Sequence, residues 1–196
     1  MKKLNMVYIL GLSGSGKSYL ARLLNGKTLE INNKDIKFKK LTQVTTREPR
    51  EEEKDSKEID TYRFITDTEY ENGYRWNCFA TMTHYTGGKY GTIMPEIKEI
   101  QDDAVFLTIV NKDGLYNAIE RLEERYGDEF DINYTIAVII NTRNCTKLES
   151  RACRDRALES KELDIIIEKY NPLKIFNTSY TADGVMKILA KRLRLL

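Results

Sequence analysis

The sequence has a single histidine, His84, among its 196 residues, and only three cysteines. One imidazole excludes any mechanism that needs two. Cys78, Cys145 and Cys153 show no C-x-x-C spacing, which argues against a structural zinc site, and three thiols cannot all pair with one another. The expectation is small packing residues in a reduced, cytoplasmic setting. An excess of charge is also missing. Lys+Arg number 32 against 30 Asp+Glu, so the formal charge is only +2 and a whole-surface grip on nucleic acid is not expected, although a local basic cleft is allowed. No apolar stretch approaches the ~20 residues of a membrane-spanning helix. Lys2-Lys3 followed by apolar residues 6–10 mimics the start of a signal peptide, but the run is too short and leads into a glycine-rich loop. Finally, no Asp or Glu occurs from Asn72 to Pro95, in a chain that is 32% charged overall.

What is present describes a globular protein. A hydrophobic fraction of 41% and this length suit one domain, or a core with small lids. Residues 5–10, 104–110 and 134–140 read as buried strands, and 28–31 and 173–176 as shorter ones. Helices are expected over 17–25, over 113–126 with Leu115, Ile119 and Leu122 at helical spacing, from a capping box at Thr146–Glu149 to about Tyr170, and after Thr181. Buried strands alternating with amphipathic helices predict an α/β fold with a mainly parallel sheet flanked by helices. The segment 32–93 breaks this alternation. It holds strand-like residues 41–45 and 61–65, a charged stretch at 51–58 read as a solvated loop, and a capping box at Thr66–Glu69 opening a helix that ends near Gly73. Residues 74–83 and 89–93 are rich in aromatic and β-branched types and flank a turn at 85–88. It reads as an antiparallel insert in a core made of 1–31 and 94–196.

Gly11-Leu12-Ser13-Gly14-Ser15-Gly16-Lys17-Ser18 fits the phosphate-loop pattern G-x-x-x-x-G-K-[ST], with a buried strand before it and a helix beginning at Lys17. Glycines let successive backbone N–H groups turn toward phosphate oxygens, and the helix N-terminus adds partial positive charge. Lys17 is placed to reach the outer phosphates of ATP, and Ser18 to set its hydroxyl on Mg²⁺. Gly11, Ser13, Gly14, Ser15, Gly16, Lys17, Ser18 and Tyr19 are the candidate ATP-binding residues. The strand ending at Val110 is followed by Asn111 rather than Asp, and Asp113 comes two residues later.

Thr45-Thr46-Arg47-Glu48-Pro49-Arg50 carries two arginines whose forks suit bidentate phosphate binding, and Tyr62 and Tyr90 add hydroxyl donors. With Tyr62-Arg63-Phe64, the helix opening at Thr66 and Tyr90-Gly91-Thr92 in the same order, this hexapeptide resembles the guanylate kinase family. The resemblance is strongest over 6–22 and 41–92. It implies a P-loop kinase fold with an insert that binds a nucleoside monophosphate and a short lid at about 145–165. By that resemblance Arg47, Arg50, Tyr62 and Tyr90 hold the acceptor phosphate, and Thr92 approaches the base. Aligned without gaps, the family hairpin F-x-E-W-A-x-x-x-G-N-Y-Y-G-T puts Phe79 on its Phe and Thr81 on the Glu that reads guanine. A second base-side acid falls on Asn111, leaving Thr81, Thr83 and Asn111 to read a base. Ribose 1,5-bisphosphate phosphokinase is also similar, with a histidine where His84 falls and an asparagine where Asn111 falls, but it has no counterpart of Arg50.

The lid of the family brings arginines over the ATP phosphates, and by that resemblance Arg154, Arg156 and Arg151 are candidates for it, in that order. Arg151 and Asp155 are also spaced for a surface ion pair. The resemblance implies transfer of the γ-phosphoryl of ATP, with Mg²⁺, to a nucleoside monophosphate, GMP or dGMP first. Lys17 and Arg47 head the candidate catalytic groups. The partners are then small-molecule substrates, not nucleic acid or membrane. Two alternatives stand beside it: a kinase of another phosphorylated acceptor such as ribose 1,5-bisphosphate, and a non-catalytic guanylate-kinase-like scaffold domain.

Overall fold

The computed structural model describes residues 1–31, 33–49, 51–54, 62–85, 87–140, 150–177 and 180–196, with the side chains of residues 52, 54, 85 and 150–159 outside that description. A six-stranded sheet forms the centre. Strand β1 (Lys2–Gly11) lies between β8 (Ala104–Ile109) and β9 (Phe130–Ile140), and β10 (Leu173–Phe176) pairs outside β9. These neighbours are all parallel. On the other side β3 (Lys34–Lys40) runs parallel to β8, and β2 (Thr28–Ile31) closes the edge antiparallel to β3.

Strand β1 is apolar on both faces because both are covered. Leu4, Met6, Tyr8 and Leu10 face one core with α4 (Lys112–Tyr126) and α5 (Ser150–Tyr170), while Val7 and Ile9 face another with α1 (Lys17–Leu24) and α6 (Ala182–Arg192). At the strand beginnings, the fully buried Asn5 amide donates to Asp102 O and Ala104 O and accepts from Asn133 Nδ2 at 2.8 Å, which satisfies a polar group that burial would otherwise penalise.

A second, four-stranded sheet runs β5 (Arg63–Phe64), β4 (Gln43–Thr45), β7 (Gly88–Ile93), β6 (Phe79–Tyr85). Its pairs are antiparallel except β4–β5. Helix α3 (Asp67–Arg75) lies against it, opened by the capping box expected at Thr66 and Glu69. Val44, Tyr70 and Phe79 form its small core. Among the described residues no helix is long and apolar enough to cross a membrane.

Several expectations shift. Residues 34–40 belong to the central sheet, so the second sheet begins at Gln43 rather than at the expected insert boundary of 32. Ile36 and Phe38 are buried there between exposed charged neighbours, a half-covered strand whose lysines hide its period of two. Residues 51–54 form a helical turn, α2 (Glu51–Lys54), rather than a loop. Gly73 does not end α3. It lies within the helix, where an added Cβ would come 2.5 Å from the Phe79 ring, and the chain turns at Asn77 with φ 50°. Cys78 carries a free, exposed thiol rather than a packed one. The capping box at 146–149 and Cys145 lie outside the described residues.

Candidate active site

The phosphate loop leaves the C-terminal end of β1, where open α/β sheets hold their ligands. Gly11 sits at φ 149°, and a Cβ there would lie 2.6 Å from Ser15 Oγ and 2.8 Å from Ile139 O, so only glycine fits. Gly14 and Gly16 also have positive φ. Lys17 Nζ donates to Gly11 O at 2.7 Å and Leu12 O at 2.9 Å, which folds its ammonium over the loop. Asn177, just beyond β10, donates through Nδ2 to Ser15 O at 3.2 Å and ties the loop to the neighbouring strand end. Ser15 is buried, whereas Ser18 and Tyr19 are exposed on the first turn of α1. Ser13 lies within the loop. The exposed Ser18 hydroxyl fits a cation carried in with nucleotide phosphates. Among the described residues no cluster of His, Cys, Asp or Glu forms a metal cage, and Asp113 is exposed on α4.

The second sheet has one polar and one apolar face. Strand pairing sets Gln43, Thr92 and Thr81 in one row and Thr45, Tyr90 and Thr83 in the next, while Val44, Gly91 and Met82 alternate onto the α3 side. The polar face meets the end of β8. Thr81 Oγ1 donates to Thr92 Oγ1 at 2.8 Å, Thr92 Oγ1 lies 3.1 Å from Thr108 Oγ1, and Gln43 Nε2 donates to Ile109 O at 2.8 Å. Because Thr108 pairs with Tyr8 on β1, this face sits beside the strand that carries the phosphate loop.

Arg47 follows β4 on this sheet. Its guanidinium pairs with Glu53 through two bonds of 2.7 and 2.6 Å and lies over the rings of Tyr62 at 5.5 Å and Phe64 at 5.2 Å. The hydrogen bonds it donates to Glu53 raise its pKa above the ordinary arginine value. Tyr62 and Tyr90 meet edge to face, with centroids 5.6 Å apart. Gly88 admits this arrangement, since a Cβ there would lie 2.7 Å from Arg47 N. Thus the structure brings Arg47, Tyr62 and Tyr90 together.

The other expected residues divide. Thr81 and Thr92 are buried, with hydroxyls bonded to one another. Thr83 packs near the start of α4, its methyl 3.5 Å from where a Gly114 Cβ would be. Asn111 caps that helix: its Oδ1 accepts from Gly114 N at 2.8 Å, so one lone pair of this oxygen serves the helix end. Arg50 lies outside the described residues. Arg151, Arg154 and Arg156 fall in α5, with side chains outside the description. His84 is exposed at the end of the hairpin, its ring 6.4 Å from Tyr70.

Sequence reasoning missed Gln43, Glu53, Phe64 and Asn177. Gln43 was legible as a polar residue in an otherwise strand-like run. Glu53 was hidden in an acidic stretch where no single carboxylate stands out. Among the described residues, three buried side-chain atoms have no hydrogen-bond partner: Tyr8 Oη, Ser15 Oγ and Gln43 Oε1. Burial raises the Tyr8 phenol pKa well above its ordinary value.

A phosphate loop at the C-terminal edge of a parallel sheet, with an arginine–tyrosine cluster on a second sheet that meets the end of β8, defines a P-loop nucleotide-binding α/β protein. Residues 3–169 match the profile of the family described as guanylate kinase, and the chain belongs to that family. It is 33% identical over 110 residues to guanylate kinases of the Aster yellows witches'-broom and Onion yellows phytoplasmas, a match covering 55% of this chain and 48% of each relative. The match therefore spans about half the length of these relatives. The fold is similar to a crystal structure of guanylate kinase from Anaplasma phagocytophilum, with TM-score 0.58, 16% identity, and 99% of this chain and 86% of that one covered.

Proposed function

We propose that the protein transfers the γ-phosphoryl of ATP to the phosphate of a nucleoside monophosphate, with GMP and dGMP as the leading acceptors. Membership of the guanylate kinase family supports this reading. The single observation that carries it is Arg47, held on the rings of Tyr62 and Phe64 beside Tyr90, on the sheet that meets β8. An arginine fork and two phenols suit a phosphate dianion.

The acceptor phosphate is already ionised, so the reaction needs no general base, and a chain with one exposed histidine can perform it. Catalysis is then positioning and charge neutralisation. Lys17 exchanges the loop carbonyls for phosphate oxygens of ATP. Arg47, Tyr62 and Tyr90 align the acceptor, joined by Arg50. Arginines of α5 (Arg154, Arg156 or Arg151) close over the transferred group and, with the second sheet, exclude water. Ser18 and the nucleotide would hold Mg²⁺, which would supply charge neutralisation at the transferring phosphoryl. A cytoplasmic location matches these substrates.

A second reading, a kinase of another phosphorylated acceptor such as ribose 1,5-bisphosphate, is favoured by one observation. The row that replaces the family's guanine-reading acid is a set of threonine hydroxyls bonded to each other. A coupled assay of ADP release across GMP, dGMP, other monophosphates and ribose 1,5-bisphosphate separates the readings. Turnover with a monophosphate is expected. Arg47→Ala should raise the acceptor KM at least about tenfold, with ATP affinity unchanged. Absence of both ATP binding and ADP release rejects the kinase reading, and an unaltered Arg47→Ala enzyme rejects the site.

A further inference from the structure

A cleft of about 470 Å³ lies against the last turn of α4. Ile93, Met94 and Ile97 line one side of it and Tyr126 the other, with the Cys78 thiol at its margin. At 1.5 Å per residue, α4 sets Arg125 and Tyr126 ~20 Å from the helix start, where the second sheet meets the end of β8. The cleft is therefore separate from the phosphate loop and from the Arg47 cluster.

Its walls are fastened by the fold itself. Tyr126 Oη donates to Pro95 O at 2.6 Å, which pins the segment leaving β7 to α4. Met94 N donates to Cys78 O at 2.9 Å, and Arg121 Nε donates to Phe79 O at 2.7 Å, which ties the start of β6 to both. A ligand entering here meets a cleft already shaped.

The charges indicate which ligand. Lys98 Nζ lies 2.7 Å from Glu96 Oε2, so these two lining groups offset one another. Arg125 has no carboxylate partner among the described residues. Its Nη1 donates to Asn77 O at 3.3 Å, and its guanidinium lies over the Tyr126 ring at 5.6 Å. One backbone carbonyl does not exhaust a fork of five donors. One uncompensated cation beside an apolar floor complements an anion with an apolar body. The volume also falls among small-molecule sites, which span roughly 300–1,000 Å³.

We infer that this cleft is a second ligand site, apart from the nucleotide site, and that it takes a small organic monoanion. A flat apolar body lies against Ile93, Met94, Ile97 and Tyr126, and the anionic group rests on the Arg125 guanidinium.

The aromatic monoanion anilinonaphthalene sulfonate is the probe, titrated by fluorescence into the whole chain with excess ATP or, separately, excess GMP present. Wild type should bind it with a Kd below about 100 μM in both cases. Neutral phenylnaphthylamine, which keeps the rings without the sulfonate, should bind at least about tenfold more weakly. Ile97 is 52% exposed, so Ile97→Asp leaves the core intact while setting a negative charge in the cleft. Ile97→Asp and Arg125→Met should each weaken the sulfonate at least about tenfold. If Arg125→Met does not fold, Ile97→Asp carries the test. Bound sulfonate should also slow alkylation of Cys78 by iodoacetamide at least about threefold, read by mass spectrometry of the Cys78 peptide. Binding abolished by ATP or GMP puts the probe at the nucleotide site and overturns the inference. Absence of binding, unaltered affinity in Ile97→Asp, an equally tight neutral probe or an unprotected Cys78 each overturns it as well.

Discussion

Arg47 and Glu53 form a two-pronged ion pair, with Nη1 2.7 Å from Oε2 and Nη2 2.6 Å from Oε1. Nη1 also donates to Glu48 O at 3.0 Å. A guanidinium has five N–H donors, so these three bonds leave Nε and one hydrogen of Nη2 for other partners. They lie along one edge, enough for a second bidentate contact. On the proposed kinase reading, Glu53 orients the fork and does not compete for the acceptor phosphate. Glu53→Ala should raise the acceptor KM by about three- to tenfold and leave the ATP KM unchanged, as steady-state kinetics will show. A fall in acceptor KM would mean that Glu53 occupies the phosphate position and must be displaced.

The hydroxyls of Thr81, Thr92 and Thr108 act as one unit because Thr92 bonds to both others in a buried setting. Thr92→Val keeps the shape and orphans two hydroxyls, which should cost about 1–3 kcal/mol. Replacing all three with Val removes every polar group together and should return stability to within about 1 kcal/mol of wild type. Urea unfolding of the single and triple variants measures this. A triple variant less stable than Thr92→Val would show that the hydroxyls contribute independently.

The Lys39 ammonium, hydrogen-bonded to Glu99, holds that carboxyl below its usual range. A carboxyl depressed in the folded state adds stability above its unfolded pKa of about 4.3, and that stability is lost as pH falls through the folded value. The pair is partly exposed, with the Lys39 side chain at 52% and that of Glu99 at 29%, so the effect is modest. Glu99→Gln should lower Tm by about 1–3 °C at pH 7, and the gap should close as pH drops below 4. A gap that persists unchanged at pH 3 would assign the difference to packing rather than charge.

Sequence periodicity was most informative where apolar residues are numerous and regularly spaced. Strand β1, apolar on both faces, and helix α4, with one apolar stripe, announce themselves through uninterrupted or 3.6-spaced hydrophobics. Strand β3 escaped because only two apolar residues, Ile36 and Phe38, carry its period of two among charged neighbours, too few to separate the run from a solvated loop. At the site, the phosphate loop was legible because its chemistry is contiguous. The eight residues from Gly11 to Ser18 hold the backbone turn, the Lys17 ammonium and the Ser18 hydroxyl, and the turn forms because a glycine can occupy φ 149° against Ile139 O. Arg47, Tyr62 and Tyr90 were legible through motif, although 43 residues separate the first from the last.

By itself, then, the sequence determined the alternating α/β order and the phosphate loop, because each depends on residue type at short range. Tertiary structure alone decided how those groups are occupied. Asn111 Oδ1 serves as a helix cap, Glu53 pairs with Arg47, and Gln43 carries a buried acceptor that meets no partner among the described residues. These outcomes depend on which donors and acceptors meet when β4, β7 and β8 come together. Hydrogen-bond satisfaction is a property of the assembled seam between two sheets, where each group's partner comes from a distant part of the chain.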